Sequence, residues 1–182
     1  MRREHSILSL RGKVLENGMP RFFRRLAEGV FDLEDLKRRT EELARFIERA
    51  RERYSLQGKR VIAVGYSNGA NLAASLLLRY PDHLSAAALF RAMVPFTPDT
   101  LPDLRGVPIL LSAGERDPIV PPANTRRLAD IFERGGAAVS IHWHAGGHEL
   151  GPDDMDTARI WLGRLLRPGE MEDRGARPAA GS

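Results

Sequence analysis

Along the chain, short continuous apolar runs alternate with longer stretches in which apolar residues recur every three or four positions. Val61-Ile62-Ala63-Val64 and residues 85–90 and 107–112 are the short runs, each of strand length, and residues 139–143 read as the next strand. An unbroken apolar run such as 61–64 predicts a strand buried on both faces. Between residues 33 and 54, Leu36, Leu43, Phe46, Ile47, Ala50 and Tyr54 fall at helical steps, with Asp32 placed to cap the first turn. Further helices are predicted over 69–79, from Pro121-Pro122 to about Arg134, and over 153–166. Residues 6–10 read as one more short strand. Residues 11–30 have no clear period and carry Gly12, Asn17-Gly18 and Pro20, so they read as a loop or lid. Residues 91–104 are a proline-rich connection.

Strands separated by helices imply parallel pairing, right-handed crossovers and a mostly parallel sheet with helices on both faces. Ligands of such sheets sit at the carboxyl ends of the strands. The chemistry of the chain should therefore lie in the segments that follow 61–64, 107–112 and 139–143.

Composition narrows the picture. The 182 residues, 42% of them hydrophobic, suit one compact domain, expected over 1–166. Residues 167–182, rich in Gly, Pro, Ala and charge, have nothing to bury and are expected to form a disordered tail. The chain has no cysteine, which excludes disulfides, cysteine-ligated metals and a thiol nucleophile. No apolar stretch approaches the ~18 residues of a membrane span, and residues 1–6 are too charged for a secretory signal, so a cytoplasmic protein is expected. The net charge of +4 rests on 28 basic residues, all arginine except Lys13, Lys37 and Lys59. They are scattered among acids, as in Glu48-Arg49-Ala50-Arg51-Glu52-Arg53, and gather on no arm or stripe. A nucleic-acid partner is therefore not expected.

Gly65-Tyr66-Ser67-Asn68-Gly69 follows a buried strand directly and leads at once into an apolar helix. A bare G-x-S-x-G is common, but this strand–turn–helix setting is that of a nucleophile elbow, in which a sharp turn exposes the serine. The plain alternative is a βα turn whose serine only caps the helix. A serine hydroxyl needs a base. His148, in Gly146-Gly147-His148-Glu149-Leu150 just past the last strand, is placed to reach the elbow. His142, His144 and His148 could instead gather a metal, though no further ligand pattern accompanies them. The base needs an orienting carboxylate, and Asp117 before Pro118 is the candidate, with Glu115 as rival. Ser67, Asp117 and His148 then follow the nucleophile–acid–base order of α/β-hydrolases.

These residues make the chain resemble the α/β-hydrolase superfamily, in its small carboxylesterase/phospholipase branch of dienelactone-hydrolase-like and hydroquinone-resistance esterases. The Gly-Tyr-Ser-Asn-Gly-Ala-Asn elbow at 65–71, Asp117-Pro118-Ile119-Val120-Pro121 and Gly146-Gly147-His148-Glu149-Leu150 carry the resemblance. Residues 11–25 resemble the branch's substrate-side loop, and residues 89–96 resemble the segment across the cleft. The resemblance implies hydrolysis of small carboxylic esters through a Ser67 acyl-enzyme, with the Asn68 N–H as oxyanion donor and with neither cofactor nor metal. Thioesterase and lysophospholipase activities stay open, as does a homodimer.

Family members begin with further strands ending in a His-Gly-x-Gly-Gly-type loop, which supplies a second oxyanion amide. This chain shows no such segment, so an N-terminally truncated α/β-hydrolase fold is expected, with the natural enzyme longer at that end. A shifted 6–10 strand or a partner chain filling the gap are the alternatives. An impaired or non-catalytic binding protein of the same fold is the rival function. Phe22, Phe23, Met93 and Phe96 are candidates to line an acyl pocket or simply to pack in the core. Arg21, Arg24 and Arg25 are expected to be a solvated face more than an anion site.

Overall fold

The computed structural model describes residues 6–167. Its centre is a four-stranded parallel sheet in the order β5 (Ile62–Tyr66), β6 (Ala86–Phe90), β7 (Pro108–Gly114) and β8 (Ala138–His144). Helix α1 (Leu33–Arg53) precedes the sheet, α2 (Asn68–Arg79) links β5 to β6, α3 (Pro122–Arg134) links β7 to β8, and α4 (Pro152–Leu165) follows. The alternation read from the apolar pattern is the observed one. Asp32 caps α1, its carboxylate accepting from the Asp35 N–H at 3.0 Å.

Side chains alternate across a strand, so each face of the sheet has its own core. Ala87 and Leu89 of β6 and Ile109 and Leu111 of β7 pack with α2 and α3, and α1 adds Ala44 and Ile47. On the opposite face Ala88, Phe90 and Leu110 meet Ala158 and Trp161 of α4. The buried stripe of α1 runs through Leu36, Thr40, Ala44, Ile47 and Ala50, whereas Phe46 and Tyr54, expected on it, are exposed. Thr40 is tolerated inside because its hydroxyl donates to the Leu36 carbonyl at 2.7 Å and meets Ser75 Oγ at 2.7 Å.

Three expectations change. The 61–64 run is not buried on both faces: Val64 is 62% exposed. Among the described residues β5 is the outermost strand of the sheet, and α4 covers β6, β7 and β8 but leaves Val64 and Tyr66 exposed. Residues 6–10 form no strand, and Ile7 is 91% exposed. A lone strand has no stability without a paired neighbour, and among the described residues this segment has none. Residues 11–30 are not a plain loop but two hairpins: β1 (Val14–Glu16) with β2 (Met19–Arg21), and β3 (Arg25–Ala27) with β4 (Val30–Phe31). Asn17 and Gly18 both take positive φ (52° and 79°) between Glu16 and Met19, the two-residue turn that favours Asn-Gly. Of the tail expected over 167–182, all but Arg167 lies outside the described residues.

Candidate active site

The carboxyl ends of β5, β7 and β8 converge, as an open parallel sheet requires. Ser67 follows Tyr66 at the end of β5 and starts α2, with φ 50° and ψ −114°. That is the left-handed region, costly for a residue with a Cβ, and the surroundings must enforce it. The ladder bond from Ser67 N–H to the Phe90 carbonyl (2.8 Å) and the bond from Asn71 N–H to the Ser67 carbonyl (2.9 Å) pin both sides. Gly65 makes the turn feasible, because a Cβ there would lie 2.8 Å from the backbone of Ala70. Gly69 faces a side chain instead: its Cβ would meet the Phe22 ring at 3.2 Å.

His148 Nε2 lies 2.9 Å from Ser67 Oγ, and His148 Nδ1 lies 2.8 Å from Asp117 Oδ2. An ionised carboxylate only accepts, so Nδ1 carries the proton and Nε2 is left to accept from the serine hydroxyl. The Asp117 side chain is fully buried, and its other oxygen accepts from the N–H groups of Ile119 (2.8 Å) and Val120 (2.9 Å). Those two bonds fix the carboxylate on its own loop, with Pro118 between. Glu115 is exposed and is not the group at His148. The acid and base loops are laced by backbone bonds, Glu115 N–H to the His144 carbonyl (2.9 Å) and Arg116 N–H to the Gly146 carbonyl (3.0 Å).

Above these residues opens a cleft lined by Ser67, Asn68 and His148 together with Arg21, Arg25, Gly29, Phe31, Asn71, Arg91, Met93, Ile119 and Val120. The Asn68 N–H belongs to the first turn of α2, where amides have no acceptor within the helix. The Asn68 side chain accepts from Phe22 N–H at 2.7 Å and donates to the Phe23 carbonyl at 3.4 Å. Asn71 similarly accepts from Met93 N–H (2.7 Å), and Asn124 from Val94 N–H (2.8 Å). Both walls of the cleft thus hang on asparagines of the helices beneath.

The four apolar candidates separate. Met93 lines the cleft. Phe23 is wholly buried with Leu36 and Leu72, Phe22 packs against that group, and Phe96 packs on the main core. The arginines also separate. Arg24 stays exposed, as a solvated face would be, but the Arg21 and Arg25 side chains are only 22% and 20% exposed and border the cleft. Both pair with Glu16, Arg21 Nε at 2.9 Å. The hydrogen bond from Arg25, aided by Arg21, outweighs burial and holds the Glu16 carboxyl below its ordinary range. The two cations share this one anion at the cleft, and Glu28 also acts on Arg25.

The histidine cluster does not form a metal site, and no group of metal-ligating side chains occurs among the described residues. His144 instead meets Arg91 and accepts from Gly146 N–H at 3.0 Å. Sequence reasoning missed Arg91, Asn71, Asn124 and Asp154. A charged residue directly after the fully apolar strand 86–90 was the available signal for Arg91.

Comparison with known proteins places the chain among hydrolases. Residues 17–150 match the dienelactone hydrolase family. MhqD of Bacillus subtilis (strain 168), which bears a hydrolase name, is 49% identical over 155 residues, spanning 85% of this chain and 78% of its own length. The crystal structure of a Bacillus cereus carboxylesterase superposes with a TM-score of 0.83 at 45% identity, over 86% of this chain and 74% of that one. A Mesorhizobium loti carboxylesterase gives 0.76 at 33% identity, over 84% and 73%. Among the described residues no helix is long and apolar enough to cross a membrane.

Proposed function

The chain belongs to the dienelactone hydrolase family and has an α/β-hydrolase fold, and from that premise we propose that it hydrolyses small carboxylic esters through an acyl-enzyme on Ser67. The observation that carries this reading is the continuous relay Ser67 Oγ–His148 Nε2 (2.9 Å) and His148 Nδ1–Asp117 Oδ2 (2.8 Å) at the mouth of the cleft.

In this reading His148 takes the Ser67 proton as the oxygen attacks the ester carbonyl. Asp117 holds the imidazole in the tautomer that can accept, and stabilises the imidazolium once it forms. The carbonyl oxygen gains charge in the tetrahedral intermediate, and the Asn68 N–H at the positive end of α2 is the donor assigned to it. His148 then gives its proton to the departing alkoxide. Water, activated by the same base, releases the acid from Ser67. Residues 1–166 are taken as one catalytic domain.

A fluorophosphonate probe tests the proposal, since it reacts only with an activated serine. Labelling of the folded protein that disappears in Ser67→Ala, together with hydrolysis of p-nitrophenyl acetate, is the expected result. Folded protein that neither labels nor hydrolyses would leave a non-catalytic ligand-binding protein as the better reading.

A further inference from the structure

Three consecutive backbone carbonyls of the loop that carries His148 each accept from a side chain rooted in another strand. Arg91 Nε donates to the Gly147 carbonyl at 3.2 Å, and Arg91 Nη2 donates to the Glu149 carbonyl at 2.6 Å. The Tyr66 hydroxyl donates to the carbonyl of His148 itself at 3.1 Å. The guanidinium is fixed on its other side. Its Nη1 and Nη2 pair with Asp154 Oδ1 (2.9 Å) and Oδ2 (2.7 Å), and Nη1 also reaches Ser112 Oγ at 3.3 Å. Asp154 accepts further from Ser112 Oγ and from Gly151 N–H (2.8 Å), so the acid is tied to β7 and to the start of α4.

A buried ion pair of this kind is a poor source of stability, because well-packed apolar residues of similar volume often hold a fold as well or better. What an apolar pair could not do is donate to carbonyls. The fork of an arginine presents donors at fixed angles, and here they reach the carbonyls of the residues before and after His148. Arg91 itself sits at φ 55°, a conformation that favours glycine, yet the chain places there its largest fully buried side chain.

We propose that Arg91 is a positioning residue for ester hydrolysis: by holding the carbonyls of Gly147 and Glu149 from its anchor on Asp154, it sets the His148 imidazole between Ser67 and Asp117. This rests on the reading of Ser67 and His148 as nucleophile and base. Arg91 acts through the loop, and its guanidinium is engaged with the loop, Asp154, Ser112 and His144.

Arg91→Lys keeps a cation beside Asp154 but presents three donors from one point, which cannot reproduce the fork that meets both Asp154 oxygens and both carbonyls at once. The expected result is a folded protein whose kcat on p-nitrophenyl acetate falls about 10–100-fold while KM stays near that of the parent. The acid limb of the kcat/KM profile, which reports the free base, should shift with it. An activity-independent measurement accompanies these: the low-field proton resonance of His148 Nδ1–H, identified by its loss in His148→Gln, should broaden away in Arg91→Lys. If Arg91→Lys does not fold, the charge-free pair Arg91→Met with Asp154→Asn takes its place with the same expected losses. A folded variant with parental kcat, pH profile and resonance overturns the proposal. So does a fall in kcat with profile and resonance unchanged, which marks a merely structural role. Should the parent lack esterase activity and serine labelling, the function reading fails, and the resonance alone still decides whether Arg91 positions the ring.

Discussion

Arg91 and Asp154 form an ion pair with both side chains fully buried, Nη2 to Oδ2 at 2.7 Å, joining the end of β6 to the first turn of α4. Burial raises the Asp154 pKa. The guanidinium, the Gly151 N–H and the Ser112 hydroxyl more than offset it, and the carboxyl is held far below the usual carboxylate range. A depressed acid contributes stability that is complete above its unfolded pKa, about 3.9 for aspartate, and is lost as pH falls toward its folded value. Asp154→Asn strands the buried Arg91 charge and should cost about 3–5 kcal/mol at pH 7. Denaturant titrations should show the gap between parent and variant narrowing below about pH 4, the range in which the unfolded aspartate takes up its proton.

The relay through Asp117 makes a graded prediction. Asp117→Asn preserves shape but can present an amide donor to Nδ1, which favours the wrong tautomer of His148. A drop of about 10³–10⁴ in kcat with little change in KM is expected from steady-state assays on p-nitrophenyl acetate. The corresponding change at the exposed Glu115, Glu115→Gln, should leave both constants unaltered.

Gly114 ends β7 directly beneath the base loop. A Cβ there would lie 2.2 Å from the Gly147 carbonyl oxygen and 2.8 Å from that of Gly146, both backbone atoms. Gly114→Ala should therefore lift the loop at a cost of about 1–3 kcal/mol in stability. Displacing His148 by an ångström can reduce kcat about 100-fold. Thermal melts and turnover measured on one preparation would separate the two effects.

Asn68 has two separable parts. Its backbone N–H is the assigned oxyanion donor, and its side chain holds Phe22 and Phe23 against the cleft. Asn68→Ala keeps the first and removes the second. It should destabilise by about 1–3 kcal/mol, since the Phe22 N–H loses its partner. KM should rise as the Arg21–Phe23 wall loosens, with kcat largely retained. A collapse of kcat at unchanged KM would show that the side chain, and not the amide, meets the oxyanion.

Arg21 and Arg25, which border the cleft and share Glu16, predict a preference between substrates of equal size. An ester ending in a carboxylate should have the higher kcat/KM than its neutral isostere. Arg21→Gln should erase that advantage while leaving the neutral ester unaffected. Raising ionic strength should weaken it only partly, because the side chains are four-fifths buried.

What the sequence by itself determined is what lies within a few residues of a signal. The apolar runs, the helical period of α1, the Asp32 cap and the Gly65–Gly69 elbow are local statements about backbone conformation, and the structure contains each of them. The order Ser67, Asp117, His148 was legible because each residue lies just past the end of a strand of a parallel sheet, and the carboxyl ends of such strands share one edge.

Only the tertiary structure decided what depends on neighbours far along the chain. Val64 reads as core but is exposed, because burial requires a covering layer and α4 covers β6 to β8 and not β5. Phe22, Phe23, Met93 and Phe96 are chemically alike, and three-dimensional packing alone sends Met93 to the cleft and Phe23 to the core. Arg21 and Arg25 read as surface until the β1–β2 hairpin brings Glu16 to them. The Arg91–Asp154 pair spans 63 positions, so neither residue shows in the sequence that it has a partner. A buried charge becomes tolerable only through that partner, and only the fold supplies it.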